Sequence, residues 1–233
     1  MHTILSNERI YDNICLMTVV GDFQAARMGQ FYMLRTSRDA PLLSRPISIH
    51  NLEQDRMQFL YRIAGEGTRL MAELRGGDSI KLAGPLGNGF PQVKGRIALI
   101  GGGIGIAPLL YAARQLDKPD VYLGFQKQPY LTEAFTPYAN QLTVQIGGSI
   151  LEEVNFSHYD YAIVCGPLGM LKEAARMAEG LETKVYVSLE KRMACGVGAC
   201  YVCSVMNKNG NRKVCTDGPV FLAKEVEWHE LSL

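Results

Sequence analysis

The chain has 233 residues, of which 47% are hydrophobic, and its formal net charge is +1. This length suits one large or two medium domains with a small appendage, and the apolar content is sufficient for buried cores. A near-neutral charge without basic or acidic blocks gives no support for nucleic acid or an anionic membrane as a partner. The start of the chain has no signal-peptide pattern, and the longest uncharged run, 97–113, holds four glycines and a proline. We therefore expect a cytoplasmic protein that does not enter a membrane.

The first 93 residues are predicted to form a small antiparallel β-barrel. Short β-rich runs bounded by turn residues recur along this part of the chain, as they do in small barrels. The predicted strands are 14–20, 30–35, 47–50, 57–63 and 79–83. One helix is predicted over 68–75, since Leu70, Met71 and Leu74 lie on one helical face.

After residue 93 the pattern changes to strands that alternate with helices, which is typical of a parallel α/β sheet of the nucleotide-binding type. The predicted strands are 96–100, 121–125, 142–146, 161–164 and 184–188. Apolar residues at helical spacing predict one helix between Ile106 and Leu116 and a second helix over 168–179. The remaining residues carry most of the cysteines. We therefore expect a multi-domain α+β protein with domains at 1–93, 94–188 and 189–233.

Four of the six cysteines follow the spacing C-x4-C-x2-C-x11-C, which is the plant-type [2Fe–2S] pattern. They are Cys195, Cys200, Cys203 and Cys215. A hairpin turning at Asn209-Gly210 would set Ser204 opposite Cys215 and return the fourth thiolate to the other three. Structural zinc is one alternative, although zinc sites usually have two C-x2-C knuckles and only one is present. Disulfides or free thiols are another alternative.

Two elements of the predicted barrel favour a bound diphosphate. Arg45 suits a bidentate phosphate contact, while Pro46 stiffens the backbone after it and Ser48 offers a hydroxyl. About twenty residues later, Gly65-Glu66-Gly67-Thr68 opens the short helix and leaves backbone N–H groups accessible to an anion. An exposed arginine before a turn and an ordinary helix cap are the alternative interpretations.

Two loops of the predicted sheet follow the carboxyl ends of strands, where ligands bind in open α/β folds. The first, Gly101-Gly102-Gly103-Ile104-Gly105, suits a dinucleotide pyrophosphate, although it does not match G-x-G-x-x-G and no acidic residue closes the next strand. The second is Cys165-Gly166-Pro167. A tight turn in a cofactor-free sheet and a small buried side chain at Cys165 are the alternatives. The four histidines are scattered, and no catalytic residue is assigned.

The order of these motifs resembles that of the ferredoxin-reductase-like flavoproteins. The stretches 188–200 and 215–221 are similar to the electron-transfer subunits of two-subunit, NAD-linked dihydroorotate dehydrogenases. This resemblance implies a [2Fe–2S] cluster on the four cysteines and an FAD in the barrel. The implied FAD contacts are Arg45, Pro46, Ile47 and Ser48, then Leu60, Tyr61 and Arg62 along the isoalloxazine and its tail, and Gly67 and Thr68 at the pyrophosphate.

The same resemblance implies a partner, an FMN-containing catalytic subunit that oxidises dihydroorotate in pyrimidine biosynthesis. Electrons would pass from that FMN through the cluster to FAD and then to NAD as co-substrate, within a dimer of heterodimers. The chain alone is not expected to oxidise dihydroorotate. The alternatives are an electron-transfer subunit of another flavin-dependent oxidoreductase and a zinc-stabilised, non-catalytic binding module.

One departure from the family bears on NAD. Residues 145–153 reach the next strand with little between, whereas family members usually run longer there and carry a further helix. Loops at that sheet edge build the nicotinamide site. NAD stays the expected co-substrate, and weak electron exchange with NAD or the use of another carrier are the alternatives.

Overall fold

The computed structural model of the protein describes residues 1–23, 26–36 and 41–231. Residues 24–25 and 37–40 of the first predicted domain and 232–233 of the third lie outside the described residues. Within the described part, the chain forms a closed β-barrel, a six-stranded sheet and a two-stranded hairpin. The expected barrel followed by a mainly parallel sheet is confirmed.

The barrel closes through six antiparallel strands in the order β1-β2-β5-β4-β3-β6, with β6 pairing back to β1. The strands are β1 (His2–Tyr11), β2 (Ile14–Val20), β3 (Phe31–Thr36), β4 (Arg45–Glu53), β5 (Arg56–Arg62) and β6 (Ser79–Leu86). Helix α1 (Glu66–Ala72) lies between β5 and β6. Sequence analysis missed β1 because its centre, Ser6-Asn7-Glu8-Arg9, is polar and gives no β-type run. Its pairing with β2 and β6 makes it a strand.

The second sheet has the order β14-β11-β10-β7-β8-β9. Its strands are β7 (Ile97–Gly102), β8 (Asp120–Phe125), β9 (Leu142–Ile146), β10 (Tyr161–Cys165), β11 (Lys184–Ser188) and β14 (Val220–Leu222). Helices α2 (Leu109–Gln115) and α3 (Leu168–Met177) follow β7 and β10, and a 3-10 turn over Gly103–Ile106 precedes α2. Only β14 runs antiparallel to its neighbour. Because β14 comes from the third predicted domain, the cysteine segment shares a sheet with the second, and the domain boundaries remain predictions.

The connection between β9 and β10 is short in the structure, as the sequence predicted. Two 3-10 turns, Ile150–Glu153 and Phe156–His158, lead directly to β10. Ile150 packs against the backbone of β8, where a Cβ at Gly124 would lie 2.9 Å from its Cβ. The described residues therefore contain no helix between β9 and β10.

The hairpin consists of β12 (Ser204–Asn207) and β13 (Gly210–Lys213), and its predicted register is wrong. Ser204 pairs with Lys213 rather than with Cys215, because the turn residues are Lys208 and Asn209. The Asn207 carboxamide accepts the Asn209 N–H at 2.9 Å, which fixes the turn one residue earlier than expected.

The shifted register still brings the last thiol back to the third. The N–H of Val214 donates to the carbonyl of Cys203 at 3.1 Å, so Cys215 follows the residue that faces Cys203. The predicted proximity is therefore confirmed through a different pairing.

No helix in the described ranges is long and apolar enough to cross a membrane.

The barrel and the sheet join through β4 and α2. The buried ring of His50 donates from Nδ1 to the carbonyl of Ala107 at 2.7 Å. Next to it, the Arg114 guanidinium donates to Asn51 Oδ1 at 2.7 Å and pairs with Glu53. Burial lowers the pKa of His50 from 6.5 to about 4, and its bond to Ala107 partly opposes that shift. The ring is therefore neutral at physiological pH.

This lowered pKa predicts a pH-dependent stability. A histidine that is harder to protonate when folded contributes its full stability above the unfolded pKa and loses it as pH falls toward the folded pKa. Between about pH 7 and pH 4 we expect a loss of about 3 kcal/mol in the free energy of unfolding from His50. Urea denaturation at each pH gives the free energy of unfolding. This free energy should fall less steeply between pH 7 and pH 4 in His50→Gln than in the parent. Parallel profiles would contradict this assignment.

Candidate functional site

The four predicted cluster cysteines meet in the structure as two pairs. The Cys200 thiol contributes to the lowered pKa of Cys195, and the Cys203 thiol raises the pKa of Cys215, so each of these thiols lies near its neighbour. The pairs are close enough for the charges of Cys195 and Cys215 to interact. Cys203 and Cys215 are buried, Cys195 is half-buried and Cys200 is exposed. The set therefore has an inner side and an outer side.

Backbone N–H groups of the cysteine loop, residues 195–203, point at the thiol of Cys195. The Val197 N–H lies 3.4 Å from Cys195 Sγ and is the largest influence that lowers the pKa of Cys195, to about 6. The N–H groups of Cys200 and Ala199 lower it further. In contrast, burial and then the Cys203 thiol raise the pKa of Cys215 to about 11. Donors directed at sulfur stabilise a thiolate, which is the form that ligates metals.

The donor set matches the ligand number of a two-iron cluster. Among the described residues, no group of three or more His, Cys, Asp and Glu side chains is arranged to hold one metal ion. A structural zinc requires four donors around one centre. A [2Fe–2S] cluster takes four thiolates, two for each iron, and the structure supplies two pairs. Four thiols are the ligand number of the predicted iron–sulfur site and also of the zinc alternative.

The cysteine loop rests on the barrel beside the predicted flavin motif. Gly196 has a φ of +73° and packs so closely that a Cβ there would lie 2.9 Å from Met33 Cγ and 3.2 Å from Leu86 Cδ1. Met33 on β3 pairs with Pro46 on β4. One barrel strand therefore separates the cysteine loop from the stretch Arg45–Ser48.

The two predicted phosphate-binding elements of the barrel touch each other. The Arg45 guanidinium covers the start of α1, where a Cβ at Gly67 would lie 2.5 Å from Arg45 Cζ. Only glycine at that position leaves room for the guanidinium. The Thr68 hydroxyl accepts the N–H groups of Ala64 at 2.9 Å and Gly65 at 3.1 Å. Its side chain therefore caps the helix, as the alternative interpretation stated, and only its backbone is available to a ligand.

The structure separates the three residues that were expected along the flavin. Tyr61 is buried in the barrel core and donates its hydroxyl to Asn7 Oδ1 at 3.0 Å. Burial raises the pKa of Tyr61. Leu60 is also buried, whereas Arg62 is exposed and lies near the glycine loop, 3.5 Å from a Cβ placed on Gly103. The Tyr61 side chain therefore cannot line a flavin, and any contact from this residue is through its backbone.

The two predicted loops of the sheet meet at its carboxyl edge. Gly101 and Gly102 end β7 next to β10, and Gly103 and Gly105 lie in the following 3-10 turn. Gly105 packs on the second loop, where its Cβ would lie 2.6 Å from the Gly166 nitrogen. A Cβ placed on Gly102 would lie 3.2 Å from Cδ of the Pro167 ring. Close backbone packing thus accounts for part of the glycine pattern, as the tight-turn alternative proposed.

The sequence analysis missed the polar residues that surround Cys165. Burial raises the pKa of Cys165, the charge of Glu190 raises it further, and hydrogen bonds to Ser188 oppose the shift. The pKa of Glu190 is itself raised by desolvation of its carboxyl group, although the residue as a whole is exposed, and the Arg62 guanidinium opposes that change. Glu190 follows the carboxyl end of β11 by two residues, which is the sequence signal that points to it.

An antiparallel barrel joined to a parallel sheet, with a four-thiol loop resting on the barrel, defines a ferredoxin-reductase-like protein with an iron–sulfur segment. The NADH-dependent reduced ferredoxin–NADP oxidoreductase has a similar chain, with a TM-score of 0.90 at 24% identity over 99% of this chain and 91% of that one. Phthalate dioxygenase reductase gives a TM-score of 0.63 at 17% identity, covering 92% and 93%. At these identities the likeness shows the fold.

Sequence comparison identifies the family. Residues 190–227 match the family model of the iron-sulfur cluster binding domain of dihydroorotate dehydrogenase B. The chain is 39% identical to the dihydroorotate dehydrogenase B (NAD(+)) electron transfer subunit of Clostridium acetobutylicum, over 96% of this chain and 95% of the relative. It is 40% identical to the Bacillus pumilus subunit, over 96% of each. The chain belongs to the family of dihydroorotate dehydrogenase B (NAD(+)) electron transfer subunits, and the resemblance noted in the sequence is confirmed.

Substitution of one buried thiol should remove the cluster without removing the flavin. We expect Cys203→Ser to lose iron and inorganic sulfide, because one iron is left with a single strong ligand, and to retain bound flavin. Iron analysis and visible absorbance of anaerobically purified protein measure both.

The matched control is Cys15→Ser, which changes a buried cysteine within the barrel. It should keep its iron. Full iron content in Cys203→Ser, or equal iron loss in both variants, would contradict the ligand assignment.

Proposed function

We propose that this chain carries electrons between a partner subunit that oxidises dihydroorotate at FMN and NAD+, using a [2Fe–2S] cluster and FAD. The observation that carries this proposal is the packing of Gly196, next to Cys195, on Met33, which pairs with Pro46. That packing sets the cysteine loop beside the strand that bears the flavin motif. A bound flavin exchanges electrons singly or in pairs and a bound cluster passes one at a time, so together they couple single-electron flow to hydride transfer.

In this proposal the barrel residues bind the flavin. Arg45 directs its guanidinium at the pyrophosphate above Gly67, where a larger residue would block it. Ile47 and Ser48 continue along β4 and present backbone groups and a hydroxyl to the isoalloxazine. Leu60, Tyr61 and Arg62 complete the site at the end of β5, with Tyr61 contributing backbone only.

The sheet edge is proposed to hold the nicotinamide. Gly103 and the Cys165–Pro167 loop form the floor of this edge. Arg62 lies near Gly103, and Glu190 and Arg62 carry opposite charges that influence one another. A carboxyl group and a guanidinium at that position are suited to orient a carboxamide and a phosphate, and the short crossover after β9 leaves the edge open.

The outer side of the cysteine loop is proposed as the surface that meets the catalytic subunit. Val197, Tyr201 and Val202 are 62%, 61% and 53% exposed. Tyr201 has a φ of +60°, and the Lys213 ammonium lies 4.9 Å from the centre of its ring. An exposed aromatic ring with apolar neighbours is typical of an interface anchor. We place the complex in the cytoplasm as a dimer of heterodimers, as the family resemblance implies.

Turnover of the reconstituted complex tests the function. NADH should bleach the flavin of the purified holo-chain, and the complex with its FMN subunit should reduce NAD+ when dihydroorotate is added. Absorbance under anaerobic conditions follows both reactions.

In Cys203→Ser, NADH should still bleach the flavin, while the complex should fail to reduce NAD+. If dihydroorotate bleaches the partner's FMN and the intact chain delivers no electrons to NAD+, the proposed function is wrong.

A substitution of the exposed aromatic ring tests the partner surface. We expect Tyr201→Asn to weaken binding to the catalytic subunit at least tenfold, the size of effect typical of a buried aromatic anchor, because asparagine keeps the left-handed backbone but removes the ring. Tyr201→Phe should bind like the parent. Calorimetric titration measures the affinity, and iron analysis checks that the cluster is retained.

The matched control is Leu181→Ser, at an apolar residue that is 40% exposed elsewhere on the surface. Equal affinity of Tyr201→Asn and the parent would exclude this surface.

A further inference from the structure

We propose that Asn88 is a positioning residue that holds the cysteine segment, residues 195–220, against the barrel and thereby sets the separation between the cluster and the flavin. The inference deepens the proposed function and rests on it. Asn88 lies two residues beyond the end of β6 and touches neither proposed cofactor-binding motif.

Asn88 makes four hydrogen bonds to one turn of the cysteine segment. Its side-chain Nδ2 donates to the carbonyls of Asp217 at 3.1 Å and Val220 at 2.8 Å. Its Oδ1 accepts the Val220 N–H at 3.2 Å, and its own N–H donates to the carbonyl of Gly218 at 2.7 Å. Every polar group of the side chain is used, and each bond joins parts of the chain about 130 residues apart.

The two residues before Asn88 contact the same segment. Gly87 has a φ of +83°, and a Cβ there would lie 2.6 Å from Pro219 Cδ and 2.8 Å from the Gly218 carbonyl oxygen. Leu86 packs on Gly196, as described above. The stretch 86–88 therefore holds the segment near both ends of the ligand set, beside Cys195 and shortly after Cys215.

Among the described residues, the other hydrogen bonds from this turn to distant parts of the chain lead to the second sheet. Val220 begins β14 and pairs with Ser188 on β11. The N–H of Leu189 donates to the carbonyl of Pro219 at 2.9 Å. Since the proposed flavin motif lies on the barrel, these bonds hold the segment relative to it only indirectly, through the contact between barrel and sheet. Asn88 supplies the polar attachment to the barrel at this turn.

Movement of the segment would change one electron-transfer step. In the reverse direction of the proposed path, the reduced flavin loses one electron and one ferric iron of the cluster becomes ferrous, with no atom transferred. Such a step depends on the separation and orientation of the two groups. Asn88 acts on that step through the position of the cysteines, and the strands β6, β3 and β4 connect it to the flavin motif.

The test compares Asn88→Ala with the parent holo-chain. Light and an amine donor reduce the flavin, the amine being oxidised, and transient absorbance then follows the appearance of the reduced cluster. We expect the cluster phase to slow severalfold, because release of this turn lengthens the gap across which the electron passes. Flavin and iron contents and the EPR spectrum of the reduced cluster should be unchanged. Hydrogen exchange of residues 217–220 should be faster.

Two further variants complete the design. Asn88→Asp keeps the shape but sets a carboxylate against two carbonyl oxygens, so it should slow the cluster phase as well. Asn155→Ala removes a side chain that bonds Ser157 locally on an exposed turn, and it should leave the rate unchanged.

The outcomes are separable. A parent-like rate in Asn88→Ala overturns the proposal, even if its melting temperature falls. Loss of iron in Asn88→Ala also overturns it, because Asn88 would then be needed for cluster assembly. Since light replaces NADH as the reductant, failure of NADH to bleach the parent's flavin counts against the proposed function alone.

Discussion

The buried hydrogen bond from His50 to the carbonyl of Ala107 is the interaction on which the geometry of the site depends. It joins the middle of β4 to the residue that follows the glycine turn, so the strand that begins with the flavin motif is fixed to the loop at the sheet edge. A neutral ring is required, because a buried imidazolium without a counter-ion would be strongly destabilised. The bond from Arg114 to Asn51 strengthens the same contact at its margin.

The cysteine segment is held between the two parts that this bond unites. On one side, β14 extends the parallel sheet, and on the other side Gly196 and the turn at Gly218 pack on the barrel. Close backbone packing at these points restricts movement of the proposed cluster site relative to the proposed flavin site. The burial of Cys203 and Cys215 and the exposure of Cys200 then give the segment an inner and an outer side. This polarity is what an electron carrier between two proteins requires.

The carboxyl edge of the second sheet is a potential ligand site even though the connection after β9 is short. Two 3-10 turns follow β9, and the residues that influence Cys165 are Ser188 at the end of β11 and Glu190 just beyond it. Arg62 reaches across from β5 toward Gly103. Residues from β5 and from the end of β11 therefore lie near this edge.

The sequence alone determined the strands with β-rich or apolar runs, the spacing of the four cysteines proposed as ligands and the order of the motifs, because each of these is a local pattern. It did not reveal β1, whose residues are polar and whose strand conformation comes from pairing with β2 and β6. It placed the hairpin turn wrongly, since an Asn207 side-chain bond outweighs the Asn-Gly preference. It assigned Tyr61 to the flavin, whereas the pleat of β5 points that ring into the core. Only the tertiary structure showed that Asn88 bonds to the cysteine segment and that Glu190 and Arg62 influence one another, because these partners are distant in sequence and meet only once barrel, sheet and cysteine segment have packed together.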